Sequence, residues 1–236
     1  LNAWLADWLG ANPPYHGVNW KCGQEASIRV MHLAMAGVIQ DQALSPLPSL
    51  VELVRLHLQR IGPTIRYAIA QDNNHGTSEA AALFIGGTWL ARGGNDHRAG
   101  KWAAMGRKWL ENRVATLVET DGSFSQYSVN YHRVVLDTLS MVEVWRRALD
   151  LPQFSEAFIA RTRAAVNWLA AFVDPATGDT PNIGANDGAR LLPICRTDYR
   201  DWRPTVQLAS VLFSGRAIYP DGRWNQSLEQ LGIAVP

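Results

Sequence analysis

Little of this 236-residue chain is charged: Asp, Glu, Lys and Arg make up 18%, with a formal net charge of +1. That balance gives no sign of the concentrated basic face that nucleic acid or an anionic membrane surface requires. No apolar run approaches the roughly 20 residues of a membrane-spanning helix. Cysteine is scarce. Cys22 and Cys195 are the only two, so at most one intramolecular disulfide can form, and neither that bond nor the redox compartment is fixed. The familiar catalytic signatures are missing: no HExxH, no CxxC, no Gly-rich phosphate cradle and no Ser-His-Asp or metal-ligand spacing. The opening LNAWLADWLG has no Met and lacks the charged start and long apolar stretch of a signal peptide. It reads as a processed chain or an excised fragment. Alternation of apolar and polar residues never lasts more than a few positions, so strand signals are weak.

What is present is helical. Hydrophobic residues make up 47% and include ten tryptophans. Most of these suit a helical core, and a few could line a groove for flat ligands such as sugar rings. Ile28, Met31, His32, Met35 and Ile39 share one stripe. Ser49 to Glu52 reads as a capping box opening a helix with Leu50, Leu53, Val54, His57 and Ile61, stopped by Gly62-Pro63. The next helix follows Asn73-Asn74-His75, carries Ala81, Phe84, Ile85 and Trp89, and closes at Gly93-Gly94. Further helices are predicted from Lys101, from near Tyr131 and from about Ser155, with shorter ones in RPTVQLASVLF and NQSLEQLGI. Leu136, Met141 and Val144 lie off the main stripe of their helix, and a helix apolar on several faces is surrounded by others. The pattern predicts an all-α fold of antiparallel helix pairs, an inner ring within an outer one.

Three polar segments exceed what such a scaffold needs. The first is Asn73, Asn74 and His75. One Asn suffices to cap a helix, so the second and the His stand out. The second, DGSFSQYSVNYHRVV, supplies Gln126, Tyr127, Asn130, Tyr131, His132 and Arg133 around a helix start. The third is the long connection 182–204, with Asp187, Arg190, Arg196, Asp198, Tyr199, Arg200 and Asp201; long ordered loops tend to be functional. Taken singly, each has a plain structural reading: a cap, a core aromatic, a solvated salt-bridge cluster. Taken together, amide, imidazole and phenol suit proton removal next to a carboxylate. Asn and neutral His stabilise the enolate-like charge by hydrogen bonding. A phenol exchanges the proton once cationic neighbours lower its pKa from near 10.

The stretches NNHGTSEAAALF, DGSFSQYSVNYHRVVLDTL and NIGANDGARLLPI…DYRDWRPTVQLASVLF resemble the helical domain of the heparinase II/III-like polysaccharide lyases, from about Gly17 to Phe213. NWKCGQEASIRVMHLA is similar to their early Asn-Trp…Glu…Arg helix. The resemblance implies an incomplete (α/α) toroid spanning residues 1–236 as a single catalytic domain of a longer lyase, without the family's C-terminal β-sandwich. It implies β-elimination on a uronic-acid glycan, such as a glycosaminoglycan or alginate. Asn74 and His75 would neutralise the carboxylate and Tyr131 would be acid and base, with His75 as base in the opposite geometry. Gln24, Tyr127, His132, Arg133, Asp187 and Arg190 would contact substrate, and Tyr127 also rivals Tyr131 as the phenol. No metal or other cofactor is implied in this chain, because the family supplies a further His, and often a metal, from the β-sandwich. The implied partners are an acidic polysaccharide and that β-sandwich, and the implied location is periplasmic or secreted. Two other readings of the residues remain open. One is a toroid glycoside hydrolase, for which Glu25, Asp187, Asp198 and Asp201 are available but unpaired. The other is a glycan-binding or protein-interaction helical module without turnover.

Overall fold

The computed structural model describes residues 2–93 and 96–236. They form α1 (Asn2–Ala11), α2 (Gly23–Ile39), α3 (Pro48–Ile61), α4 (Ile65–Ala70), α5 (Asn74–Arg92), α6 (Ala99–Leu117), α7 (Val129–Ala148), α8 (Glu156–Phe172), α9 (Arg203–Ser214) and α10 (Gln226–Gln230). Among the described residues there is no β-strand, only an isolated bridge between Val118 and Phe124.

Side-chain pairs give the helix directions. Gln24 at the start of α2 meets Ser78 near the start of α5, and Gly37 near the end of α2 meets Trp89 near the end of α5. These two helices therefore run parallel. On α7, Trp145 donates to Thr88 of α5, and Asp137 accepts from Thr205 of α9 while Arg147 reaches Leu212. So α2, α5, α7 and α9 all start at one end of the molecule. The intervening α3, α6 and α8 run back. Gly106 of α6 lies on Phe84 and Gly87 of α5 lies on Ala103, so closely that a Cβ on either glycine would collide with backbone. This is an all-α fold of antiparallel helix pairs, an incomplete α/α toroid.

The apolar content explains which helices are inside. On α5 and α7 nearly every residue is buried, round the whole circumference. Only a helix enclosed by others can hide all its faces. Trp20, Trp89, Trp102, Trp145 and Trp202 are buried in this core, whereas Trp4 is exposed. Two expectations need correction. The capping box at Ser49–Glu52 does not form: α3 opens two residues earlier than that box would place it, on Pro48, with Leu47 as an N-cap that makes no side-chain hydrogen bond. Proline at the first helical turn gives up no hydrogen bond there and presets φ. The short α4 lies in a stretch for which no helix was predicted. Gly93 follows the end of α5, while Gly94 lies outside the described residues.

Candidate functional site

The gathered starts of α2, α5, α7 and α9 share one property. The first N–H groups of a helix have no intrahelical partner, and the helix dipole adds roughly half a positive charge there. The gathered helix starts therefore add a positive potential at that end of the toroid.

At the start of α5 the two asparagines divide their roles. Asn73 is the N-cap, its Oδ1 accepting from the His75 N–H at 2.9 Å. Asn74, the first helical residue, is buried, yet its side-chain amide makes no hydrogen bond within the described chain. Its backbone N–H donates to Oε1 of Gln126 at 2.9 Å, tying α5 to the connection that leads into α7. His75 is half-buried, and burial lowers its pKa below 6.5, so the imidazole is neutral at pH 7.

At the start of α7, Ser128 caps the helix by accepting from the Tyr131 N–H at 3.1 Å, and its hydroxyl donates to Ala185 O at 2.5 Å. The Tyr131 hydroxyl donates to Oδ2 of Asp187 at 2.8 Å. The other oxygen of Asp187 accepts from Nδ2 of Asn130 at 3.0 Å and from the Ala189 N–H at 3.1 Å. Three donors hold the carboxyl of Asp187 below its ordinary range, the phenol foremost. The same hydrogen bond, then burial, raises the phenol of Tyr131 above 10. This reverses the expectation that a cation would lower it. Arg133, the nearest candidate in sequence, is fully buried. It is spent on Tyr199 O at 2.8 Å, Ala189 O at 3.1 Å and Oδ1 of Asn130 at 3.3 Å, between the rings of Tyr199 and Trp202.

Arg133 and Asp137 hold the 182–202 connection over α7. Asp137 is buried and accepts from the backbone N–H groups of Leu191 and Leu192 and from Thr205. The Tyr199 hydroxyl lies 3.0 Å from Oδ1 of Asn130 and 2.8 Å from Oδ1 of Asn186. Asn130, Asn186 and Tyr199 thus complete the shell around the Tyr131–Asp187 pair. Asn130 and Tyr199 stand out in the sequence as polar residues, but nothing in their spacing reveals the link to Asp187.

The other sequence candidates are placed as follows. Gln24, at the start of α2, donates from Nε2 to Ser78 Oγ at 3.1 Å, one turn below Asn74, and its Oε1 is buried without a partner. Beside it, the carboxyl of Glu79 presses on Gly23. Burial raises that carboxyl to about 7, against the opposing effect of Arg60. Sequence reading passed over Glu79, which sits within an apolar run. Tyr127 stands exposed at the rim between Gln126 and Ser128. His132 is turned the other way: it is buried, Nε2 is 2.8 Å from Ala165 O, and the ring stacks on Trp168 of α8. Arg190 stitches its own loop, reaching Cys195 Sγ at 3.1 Å and Thr197 Oγ1 at 3.2 Å. Both cysteines are free thiols. Among the described residues no group of three or more His, Cys, Asp or Glu side chains is arranged to hold a metal ion, and no helix is long and apolar enough to cross a membrane.

No curated protein and no solved structure matches the chain significantly. A family model described as the heparinase II/III N-terminus matches residues 6–203, a span that runs from α1 through the whole candidate site to the first residue of α9. By that match over most of its length, the chain belongs to the heparinase II/III N-terminal family.

Proposed function

We propose that this chain is the helical catalytic domain of a polysaccharide lyase that cleaves a uronic-acid glycan by β-elimination. The observation that carries the reading is the set of uncharged polar groups at an end of the toroid made electropositive by helix starts. The free amide of Asn74, the neutral imidazole of His75 and the phenol of Tyr131 stand there. A uronate carboxylate placed against the start of α5 meets the Asn74 amide and the helix dipole. Both stabilise the dianion that develops when the neighbouring C–H is ionised.

The proton states fit that chemistry. His75, neutral at pH 7 because burial lowers its pKa, can accept the C5 proton. As the C4–O bond breaks and the C4=C5 bond forms, the leaving oxygen needs a proton. Tyr131 carries one at any pH below 10, because Asp187 and burial raise its pKa. Tyr131 is therefore the general acid. In substrates whose proton and leaving group share one face, Tyr131 as base would first have to give up its proton, which the Asp187 carboxylate opposes. Gln24 and Asp187 flank these groups. Within this reading the chain works beside a β-sandwich of the same parent protein, in the periplasm or outside the cell.

The test is made on the full-length protein with a panel of uronate polymers, following ultraviolet absorbance of the new C=C bond and reducing ends together. A lyase raises both. Reducing ends without absorbance identify a hydrolase, and binding without either identifies a glycan-binding module. Tyr131→Phe keeps the ring and loses the proton, so the rate should fall by about 10² to 10⁴ while binding persists. A dead Tyr127→Phe beside an active Tyr131→Phe would move the proton transfer to the other phenol.

A further inference from the structure

The ring of Tyr127 has no function inside the fold. It is 74% exposed, and its hydroxyl makes no hydrogen bond within the described chain. Its backbone is left-handed, with φ +47°, a region where Cβ crowds the following carbonyl and bulky side chains are rare. The turn itself has clear causes. The Tyr127 N–H donates to Phe124 O at 2.9 Å, and its carbonyl is packed on Gly184 so tightly that a Cβ there would collide with it. Gly or Asn would meet those demands with less strain. The other positions of this kind show the contrast. Asp41, Asp72 and Asp150 are residues that tolerate left-handed backbone. Tyr15, at φ +67°, bonds Leu56 O and Gln59 and sets its ring edge-on against Trp20.

The neighbours of Tyr127 fix where its backbone stands. Gln126 holds the Asn74 N–H, and Ser128 caps the helix that carries Tyr131. The backbone that carries the ring is thus held between the residue bonded to the start of α5 and the cap of α7, and the ring itself is open to solvent. We propose that Tyr127 is a sugar-stacking platform, a specificity-determining residue that takes the C–H face of a pyranose ring next to the cleavage position. This rests on the reading of the site as a glycan site and adds an uncharged contact to it. An aromatic face expels water from the apolar side of a sugar and leaves the sugar hydroxyls free at the edge. A side chain with two torsions loses little entropy in doing so. Because the contact is apolar, it is not screened by salt, whereas the attraction of the helix starts for a carboxylate is.

The experiment compares Tyr127→Gly, Tyr127→Phe and Tyr127→Trp in the full-length protein, reading KM, kcat, oligosaccharide affinity at low and high salt, and melting temperature. Gly removes the ring and relieves the backbone. It should raise KM and Kd roughly five- to tenfold at both salt concentrations, with kcat within about twofold and no loss of melting temperature. Phe and Trp should bring KM and Kd back towards wild type. A Gly variant that binds as wild type does would overturn the proposal. So would a fall of several degrees in its melting temperature, which would make the ring a packing element, or a Phe variant as weak as Gly, which would make the hydroxyl the contact. Wild type that binds uronate oligosaccharides without cleaving them sinks the elimination chemistry and leaves the contribution of the ring readable in Kd. Wild type that binds no glycan at all overturns both.

Discussion

Asn73 and Asn74 are chemically identical neighbours that folding has made different. Asn73 sits outside the helix in extended backbone and caps it, whereas Asn74 is already helical and its amide is left without a partner in the described chain. Two substitutions should separate along that line. Asn73→Ala should cost about 1 kcal/mol of stability, the usual value of an N-cap. Asn74→Ala breaks no side-chain hydrogen bond, so its melting temperature should change little. Its kcat/KM should fall by the equivalent of roughly 3 to 4 kcal/mol, as when an oxyanion donor is removed. Thermal melts and kinetics on the two variants decide the matter. If activity and melting temperature decline in proportion at Asn74, its amide only packs. The doubled Asn was legible in the sequence because one cap is enough. Which of the two is the cap was not, since that depends on whether the backbone turns helical at 73 or 74.

At the scale of the helices, periodicity carried most of the information. The inner helix α7 announced itself by apolar residues on more than one side, and α2, α5 and α8 by their stripes. What stayed hidden arose from contacts between distant segments. The Tyr131–Asp187 hydrogen bond joins residues 56 positions apart and reverses the expected shift of the phenol. Glu79 reads as one polar residue in an apolar run until α2 is laid against α5 and its carboxyl is pressed on Gly23. That contact predicts a pH effect. The carboxyl titrates at about 7 in the fold against an ordinary 4.5. The folded chain therefore keeps a proton that the unfolded chain releases between those values. The stability contributed by this carboxyl falls as pH rises from 4.5 through 7, by roughly 3 kcal/mol, and stays level above. Glu79→Gln fills the same space, supplies an N–H and cannot ionise. Urea unfolding at pH 5 and pH 8 should show the variant matching wild type at the lower pH and exceeding it at the higher. Equal stability of the two proteins at pH 8 would mean that the carboxyl is solvated in the fold.

Across the whole molecule, two buried histidines oppose Glu79. His57 accepts from Arg29 Nε at 2.9 Å through Nε2 and lies 2.8 Å from Leu53 O through Nδ1, so an added proton would face a guanidinium. His132 has Nε2 against Ala165 O, Nδ1 buried without a partner, and its ring flat on Trp168. Burial lowers both to about 4 from 6.5. These groups take up protons on unfolding between those values, so the stability they contribute is present above pH 6.5 and lost as pH falls towards 4. Each is worth roughly 3 kcal/mol by the same conversion, and the window nearly coincides with that of Glu79, whose effect has the opposite sign. Among these three groups, two against one leaves a net loss of about 3 kcal/mol between pH 6.5 and 4.5, a large share of the 5–15 kcal/mol that a domain commonly has. Removing the opposing group exposes the arithmetic. In Glu79→Gln the drop over the same interval should approach double, about 6 kcal/mol, while replacing His132 with Phe in that background should halve it again. Unfolding free energies measured at half-unit steps from pH 4 to 8 test this directly. A wild-type curve that stays flat while the Glu79→Gln curve is flat as well would show that neither histidine is neutral in the fold.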